Sequence, residues 1–255
     1  MIECQNRNKH ITKQLVFRNF LYIYTVMKAP TSFFIYLLML LLHQNSFGQQ
    51  AIKITANQVI EHYFEAVGGK EKAKQIKSIS LEAIGMLKEH TIFLEKKLLL
   101  PNKSYATLHH KDHLISKNVY DGKKGKVFEA GEYRKLTKNE LLELSGKRSI
   151  FPEFNYLDKA TYIGIRDVNT VKCHLLKIGN TEVYYDLNSG LKVKGSSLRM
   201  KGTTKFTQHL YFENYVAIEG IKMPSKLTIE VGKRKIEFQI KKLLINQKVS
   251  TKDFK

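Results

Sequence analysis

From Ile76 onward the chain alternates apolar and polar residues, and this period of two constrains its fold more than any other feature. Ile79, Leu81 and Ala83 interleave with Ser78, Ser80 and Glu82, and later Leu227, Ile229 and Val231 interleave with Thr228 and Glu230. Ile236, Phe238 and Ile240 alternate in the same way with Glu237, Gln239 and Lys241. Successive strand side chains point to opposite faces, so the pattern describes antiparallel sheet with one face buried and one solvated. Turn-forming residues punctuate it at Pro101-Asn102, Asp121-Gly122, Gly179-Asn180, Asn188-Ser189-Gly190 and Glu219-Gly220. At ordinary strand lengths, Ile76 to Ile245 holds about ten or eleven strands.

Two stretches break the period. Before the strands, Val59, Ile60, Tyr63, Phe64 and Val67 recur at helical spacing behind a Thr55–Gln58 capping box, and Gly68-Gly69 ends the helix. Lys70 to Gln75 reads as a short turn. Midway along, Thr137 to Gly146 (TKNELLELSG) reads as a second helix with a Thr137–Glu140 capping box. The aromatic-rich loop Ser149 to Asp158 (SIFPEFNYLD) follows, and strands resume at Tyr162. An insertion in the middle of a meander is placed to cover one side of the sheet. Leu141, Leu142, Phe151 and Phe154 are its candidate lid or plug residues.

Ahead of the first helix, Lys28 and the unbroken apolar run Phe33–Leu42 precede a polar stretch ending Ser46-Phe47-Gly48. Ten apolar residues fit the core of a secretory signal and fall short of the about 20 needed to cross a bilayer. Cleavage is expected after Gly48, and Met27 is the natural start of such a signal, with Met1 the alternative. Residues 1–48 are thus leader, and 49–255 form a single β domain. The expected location is outside the cytoplasm, in the periplasm first, with secretion or outer-membrane association as alternatives. Removal of Cys4 with the leader leaves Cys173 alone, which excludes an intramolecular disulfide and points to a buried thiol.

The whole chain carries 43 Lys and Arg against 23 Asp and Glu. The leader accounts for little of this, and the remainder keeps a charge of +16. Its lysines are spread along the strands as solvated faces are, and the export signal argues against a nucleic-acid partner. Contact with an anionic membrane surface is the partner class this charge suggests.

Catalytic constellations are absent from the sequence: no Gly-x-Ser-x-Gly elbow, no His-Glu-x-x-His, no phosphate-binding glycine loop. Cys173 and His174 are strand neighbours on opposite faces and cannot form a dyad. In His109-His110-Lys111-Asp112-His113, an extended strand would hold His109 and His113 about 13 Å apart. Only a tight turn at Lys111-Asp112 brings His110 and His113 together, and a third ligand is still missing, so no metal and no cofactor are expected. Apolar content remains, with 14 Phe and 13 Tyr but no Trp. Most of these rings are expected in sheet core. Tyr162, Tyr185, Phe206, Tyr211 and Phe238 are the candidates for lining a ligand cavity on the buried face.

A capped helix ending in GGKEK (Gly68–Lys72) leads into the meander. Along it lie VYDGKKG (Val119–Gly125), FPEFNYLD (Phe151–Asp158), YYDLNSGLKVK (Tyr184–Lys194) and VAIEGIKMPSKLTI (Val216–Ile229). In these segments the chain resembles the outer-membrane lipoprotein-sorting (Lol-type carrier) superfamily of Gram-negative bacteria. It is similar especially to the variant found as the C-terminal extension of some insulinase-type peptidases. The resemblance implies an open antiparallel half-barrel with helices on its concave face and an acyl chain or lipoprotein lipid as partner. No catalytic residue carries over, because the zinc-binding part of those peptidases is absent. Two readings follow: a periplasmic, non-catalytic lipid- or lipoprotein-binding carrier, and an interaction domain of the same fold without lipid cargo.

Overall fold

The first helix, α1 (Ala56–Val67), forms as its sequence requires. Thr55 Oγ1 accepts from the Gln58 N–H at 3.2 Å, and Gln58 Oε1 accepts from the Thr55 N–H at 2.8 Å. Val59, Ile60, Tyr63, Phe64 and Val67 are all buried along one stripe. At Gly68 the backbone turns left-handed (φ 119°), and the Gly220 carbonyl lies where a side chain would project. Only glycine satisfies both demands, and this packs the end of α1 onto the turn around Gly220. The computed structural model describes residues 54–87, 89–145, 150–201 and 204–255. The expected leader and its cleavage after Gly48 lie outside the described residues.

Lys70 to Gln75, expected as a turn, is a six-residue helix, α2. Thirteen strands follow among the described residues. β1 (Ser78–Leu87), β2 (His90–Leu99), β3 (Lys103–His110), β4 (His113–Tyr120), β5 (Gly125–Glu129) and β6 (Glu132–Lys135) form one meander. A second consists of β7 (Thr161–Val168), β8 (Val171–Ile178), β9 (Thr181–Asp186), β10 (Lys192–Lys201), β11 (Thr204–Ile218), β12 (Ile221–Val231) and β13 (Arg234–Ile245). The two join where β13 pairs antiparallel with β1, giving one open sheet with β6 and β7 at its edges. Thirteen strands exceed the expected ten or eleven. The short β5 (GKVFE) and β6 (EYRK) carry too few apolar residues to show a period.

The segment between β6 and β7 holds α3 (Lys138–Ser145) and a 3-10 turn at Pro152–Asn155. It runs from one free edge of the sheet to the other. The main core lies between α1, this segment and one sheet face, which contributes Ile79, Leu81, Ala83, Leu176, Val183 and Tyr185. Asn246 clasps the β1–β13 junction from below: its Oδ1 accepts from the Lys77 and Ser78 N–H groups at 2.7 and 3.2 Å, and its Nδ2 donates to Gln75 O at 3.1 Å.

Candidate functional site

The face that carries α1 is only partly filled. Beside the core lies a cavity of about 1710 Å³, larger than the ~300–1,000 Å³ of an ordinary small-molecule pocket. The pairing registers explain its walls. Leu98, Lys96 and Ala106 meet across β2 and β3, while Val183, Gly195, Leu210 and Ile229 form a row across β9 to β12. Gly195 keeps that row open, since a Cβ there would meet only the Phe212 ring, at 3.9 Å. Leu144, Ile150, Pro152 and Tyr156 close the cavity from the segment between the sheet edges. Apolar surface exceeds polar on its walls, but about half of the lining residues are polar or charged, among them Lys96, Asn118, Arg134, Glu140, Ser197, Arg199 and Gln208. Burial lowers the pKa of the Arg199 guanidinium.

A buried ion pair fastens the covering segment. Glu153, fully buried in the 3-10 turn, accepts through Oε1 from Lys192 Nζ at 2.7 Å and from the Tyr185 hydroxyl at 3.1 Å. Its Oε2 has no hydrogen-bond partner among the described residues. Lys192, on β10, reaches the cavity wall, and its ammonium lies 5.3 Å from the Tyr63 ring centre and 4.8 Å from that of Phe212. Burial, and then the Glu153 carboxylate, push the phenols of Tyr63, Tyr156, Tyr185 and Tyr215 upward, so all four stay neutral. Phe151 and Phe154 complete the attachment, with ring centres 6.5 Å from Tyr63 and 4.5 Å from Phe64.

The other end of the covering segment is held by Arg134. Its two terminal nitrogens each donate to Glu140 at 2.9 Å, and its Nε donates to Glu129 at 2.9 Å. Glu140 also accepts from the Thr137 N–H at 2.7 Å, completing the expected capping box with Thr137 Oγ1 on the Glu140 N–H. The Arg134 guanidinium is the main cause holding the Glu140 carboxyl down at about 2.

Among the expected lining residues, Phe206 lies on the cavity wall. Tyr185 and Phe238 share the concave face but are packed into the core, 0 % and 3 % exposed, Tyr185 against Tyr63 of α1 and Glu153, and Phe238 against Gly85 of β1. Tyr162 packs at the core margin, its hydroxyl 3.2 Å from His174 Nδ1. Tyr211 requires a correction. It pairs with Lys194 rather than Gly195, so alternation turns it to the opposite face, where its hydroxyl donates to Glu230 at 2.9 Å. In the covering segment Phe151 and Phe154 are anchors and Leu141 is half-buried. Leu142, 62 % exposed, does not line the cavity; Leu144 does.

The remaining chemistry-bearing residues do not converge. A tight turn at Lys111-Asp112 does set His110 opposite His113, and His110 Nδ1 lies 2.8 Å from Thr91 O. Even so, no three potential ligands come together among the described residues. Cys173 is fully buried, and burial raises its thiol to about 11, far from a reactive thiolate. Sequence reasoning missed Glu153, Lys192 and Gly195. An acid between two phenylalanines in FPEF was the available signal for the first; Lys192 resembles every other strand lysine.

No protein-family model matches the sequence, and no curated protein matches it either. Solved structures do match in shape. The LolA superfamily protein NE2245 from Nitrosomonas europaea aligns at a TM-score of 0.50 and 11 % identity, over 79 % of this chain and 98 % of its own. A putative outer-membrane lipoprotein-sorting protein domain from Vibrio parahaemolyticus aligns at 0.49 and 12 %, over 76 % and 95 %. A DUF1329 family protein from Desulfovibrio piger aligns at 0.48 and 11 %, over 78 % and 96 %. The chain shares the fold of the LolA superfamily protein: one open antiparallel sheet with helices against its concave face.

Proposed function

We propose that this chain is an exported, non-catalytic carrier-like protein that holds the acyl chain of a lipid or lipoprotein in its concave cavity. The observation that carries the reading is the 1710 Å³ space, walled by Leu98, Leu210, Phe212 and Ile229 and covered by a separately fastened segment. Each methylene transferred there from water contributes about 0.8 kcal/mol, so a ten-carbon chain gains about 8 kcal/mol before association costs. The lipoprotein-sorting resemblance and the fold shared with a LolA superfamily protein support the same reading. Neutral tyrosines and a buried thiol offer no nucleophile or general base.

Native mass spectrometry of protein purified from bacterial membranes, followed by titration with a fluorescent fatty acid, tests this. Copurified lipid and saturable binding that weakens in Phe206→Ala are expected. Protein that copurifies with no lipid and binds no fatty acid overturns the carrier reading in favour of the interaction domain.

A further inference from the structure

β10 and β11 outrun the strands on either side of them. Ser197 is the last β10 residue paired with β9, and Gln208 the first β11 residue paired with β12. Past that level, Leu198–Lys201 and Thr204–Thr207 pair in register only with each other, and the Leu198 N–H donates to Asn180 O in the β8–β9 turn at 3.2 Å. Beyond Leu198, three register pairs make a two-stranded ribbon about 10 Å long that extends past the neighbouring strands. Its sequence from 198 to 207, LRMKGTTKFT, has three basic residues and no acid. Leu198 is 43 % exposed, and one side of the ribbon, Arg199 and Phe206, is also cavity wall.

The neighbouring β12–β13 turn extends the charge with exposed Lys233 and Arg234. Lys235 beside them is neutralised by Glu237 at 2.7 Å. Lys205, Lys233 and Arg234 have no carboxylate partner among the described residues. Uncompensated cations beside an exposed leucine, on an extension that other strands do not cover, fit the interface of an anionic bilayer: lysines at the head groups, apolar side chains at the acyl boundary. A rigid protein partner would need a shaped surface that a narrow ribbon does not provide.

We propose that the β10–β11 ribbon and the adjacent β12–β13 turn dock this protein end-on on an anionic lipid bilayer, so that the rim of the cavity at Arg199 and Phe206 lies beside the membrane. The inference extends the carrier reading and is tested apart from it. The assay is cosedimentation of the full chain with vesicles of phosphatidylglycerol and phosphatidylcholine, and with vesicles of phosphatidylcholine alone. Binding is expected to the first only and to vanish in molar salt. Each basic residue near such a surface contributes about fivefold, so the triple variant K205E/K233E/R234E should bind about a hundredfold more weakly. The variant K123E/K124E/K222E makes the same charge change on exposed lysines at the other end of the sheet and should bind nearly as the native chain does. Circular dichroism and Tm check that both variants fold, and fluorescent fatty-acid titration without vesicles should be alike in both. No binding to anionic vesicles, equal binding to neutral ones, or equal losses in the two variants overturns the proposal. A lost fatty-acid titration with vesicle docking intact would instead count against the carrier reading.

Discussion

Removing the Lys192 ammonium should be among the most damaging single changes on the concave face. In Lys192→Met the chain volume is nearly kept, but Glu153 retains only the Tyr185 hydroxyl at 3.1 Å and has no exposure to water. Breaking a buried pair from one side typically costs about 3–5 kcal/mol, because the remaining charge is uncompensated. Glu153→Gln should cost less. Lys192 is 11 % exposed in its side chain and lies on the cavity wall, so its ammonium can swing toward that space while its stem stays packed. The double variant Glu153→Leu with Lys192→Met removes both charges and should recover most of the loss. Urea denaturation with a fixed m-value measures all three, and proteolysis of the 150–158 segment reports the release of the cover. A Lys192→Met cost under about 1 kcal/mol, or a double variant as unstable as the two losses added, would refute the idea that this pair fastens the segment.

Three further outcomes are expected. Phe64, 1 % exposed with its ring centre 4.5 Å from that of Phe154, should cost about 3–5 kcal/mol when replaced by alanine, measured by thermal or chemical unfolding; a loss below about 1 would make α1 peripheral. Gly195→Leu should project into the cavity and cut fatty-acid binding while leaving Tm within a few degrees; unchanged binding would show that the ligand sits elsewhere. The Arg134–Glu140 contact should be present above the ordinary carboxyl value of 4.5 and lost as pH falls toward about 2, because the folded pKa is the lowered one. Both partners are over a third exposed, so screening limits its contribution to under about 1 kcal/mol, and Arg134→Met should flatten only this acid limb of the stability profile.

The period-two runs and capping boxes announce themselves because each reflects local geometry. Thr55 and Thr137 need only a neighbour three residues on, and Ile79, Leu81 and Ala83 need only one covered face. The cavity was less legible, since its lining depends on which side of a strand each ring takes. A slip of one residue around Val193, where the β9–β10 register shifts, sets Lys192 opposite Tyr185 and Gly195 opposite Val183, so both face inward although three positions apart. On β11 plain alternation turns Phe206 and Phe212 in and Tyr211 out. The Glu153–Lys192 contact joins residues 39 positions apart through packing; the phenylalanines around Glu153 hint at its burial, but Lys192 does not differ in kind from the solvated strand lysines. Strands β5 and β6 escaped notice because both are short and the edge strand β6 is exposed throughout, so they carry little pattern.

The junction between β1 and β13 also orders the events of folding. Within each meander every strand pairs with its sequence neighbour, so hairpins can close early at small entropic cost. The β1–β13 ladder is the exception, joining backbone as distant as Ser78 and Asn246, 168 residues apart. During synthesis β1 emerges long before its second partner exists, with one edge waiting for β13. Contacts of such separation slow folding, so this seam is the slow closure and the stretch of β1 edge exposed longest to mispairing. Asn246, set just past β13 with side-chain hydrogen bonds to Gln75, Lys77 and Ser78 at the entry to β1, is placed to register that late closure when it arrives.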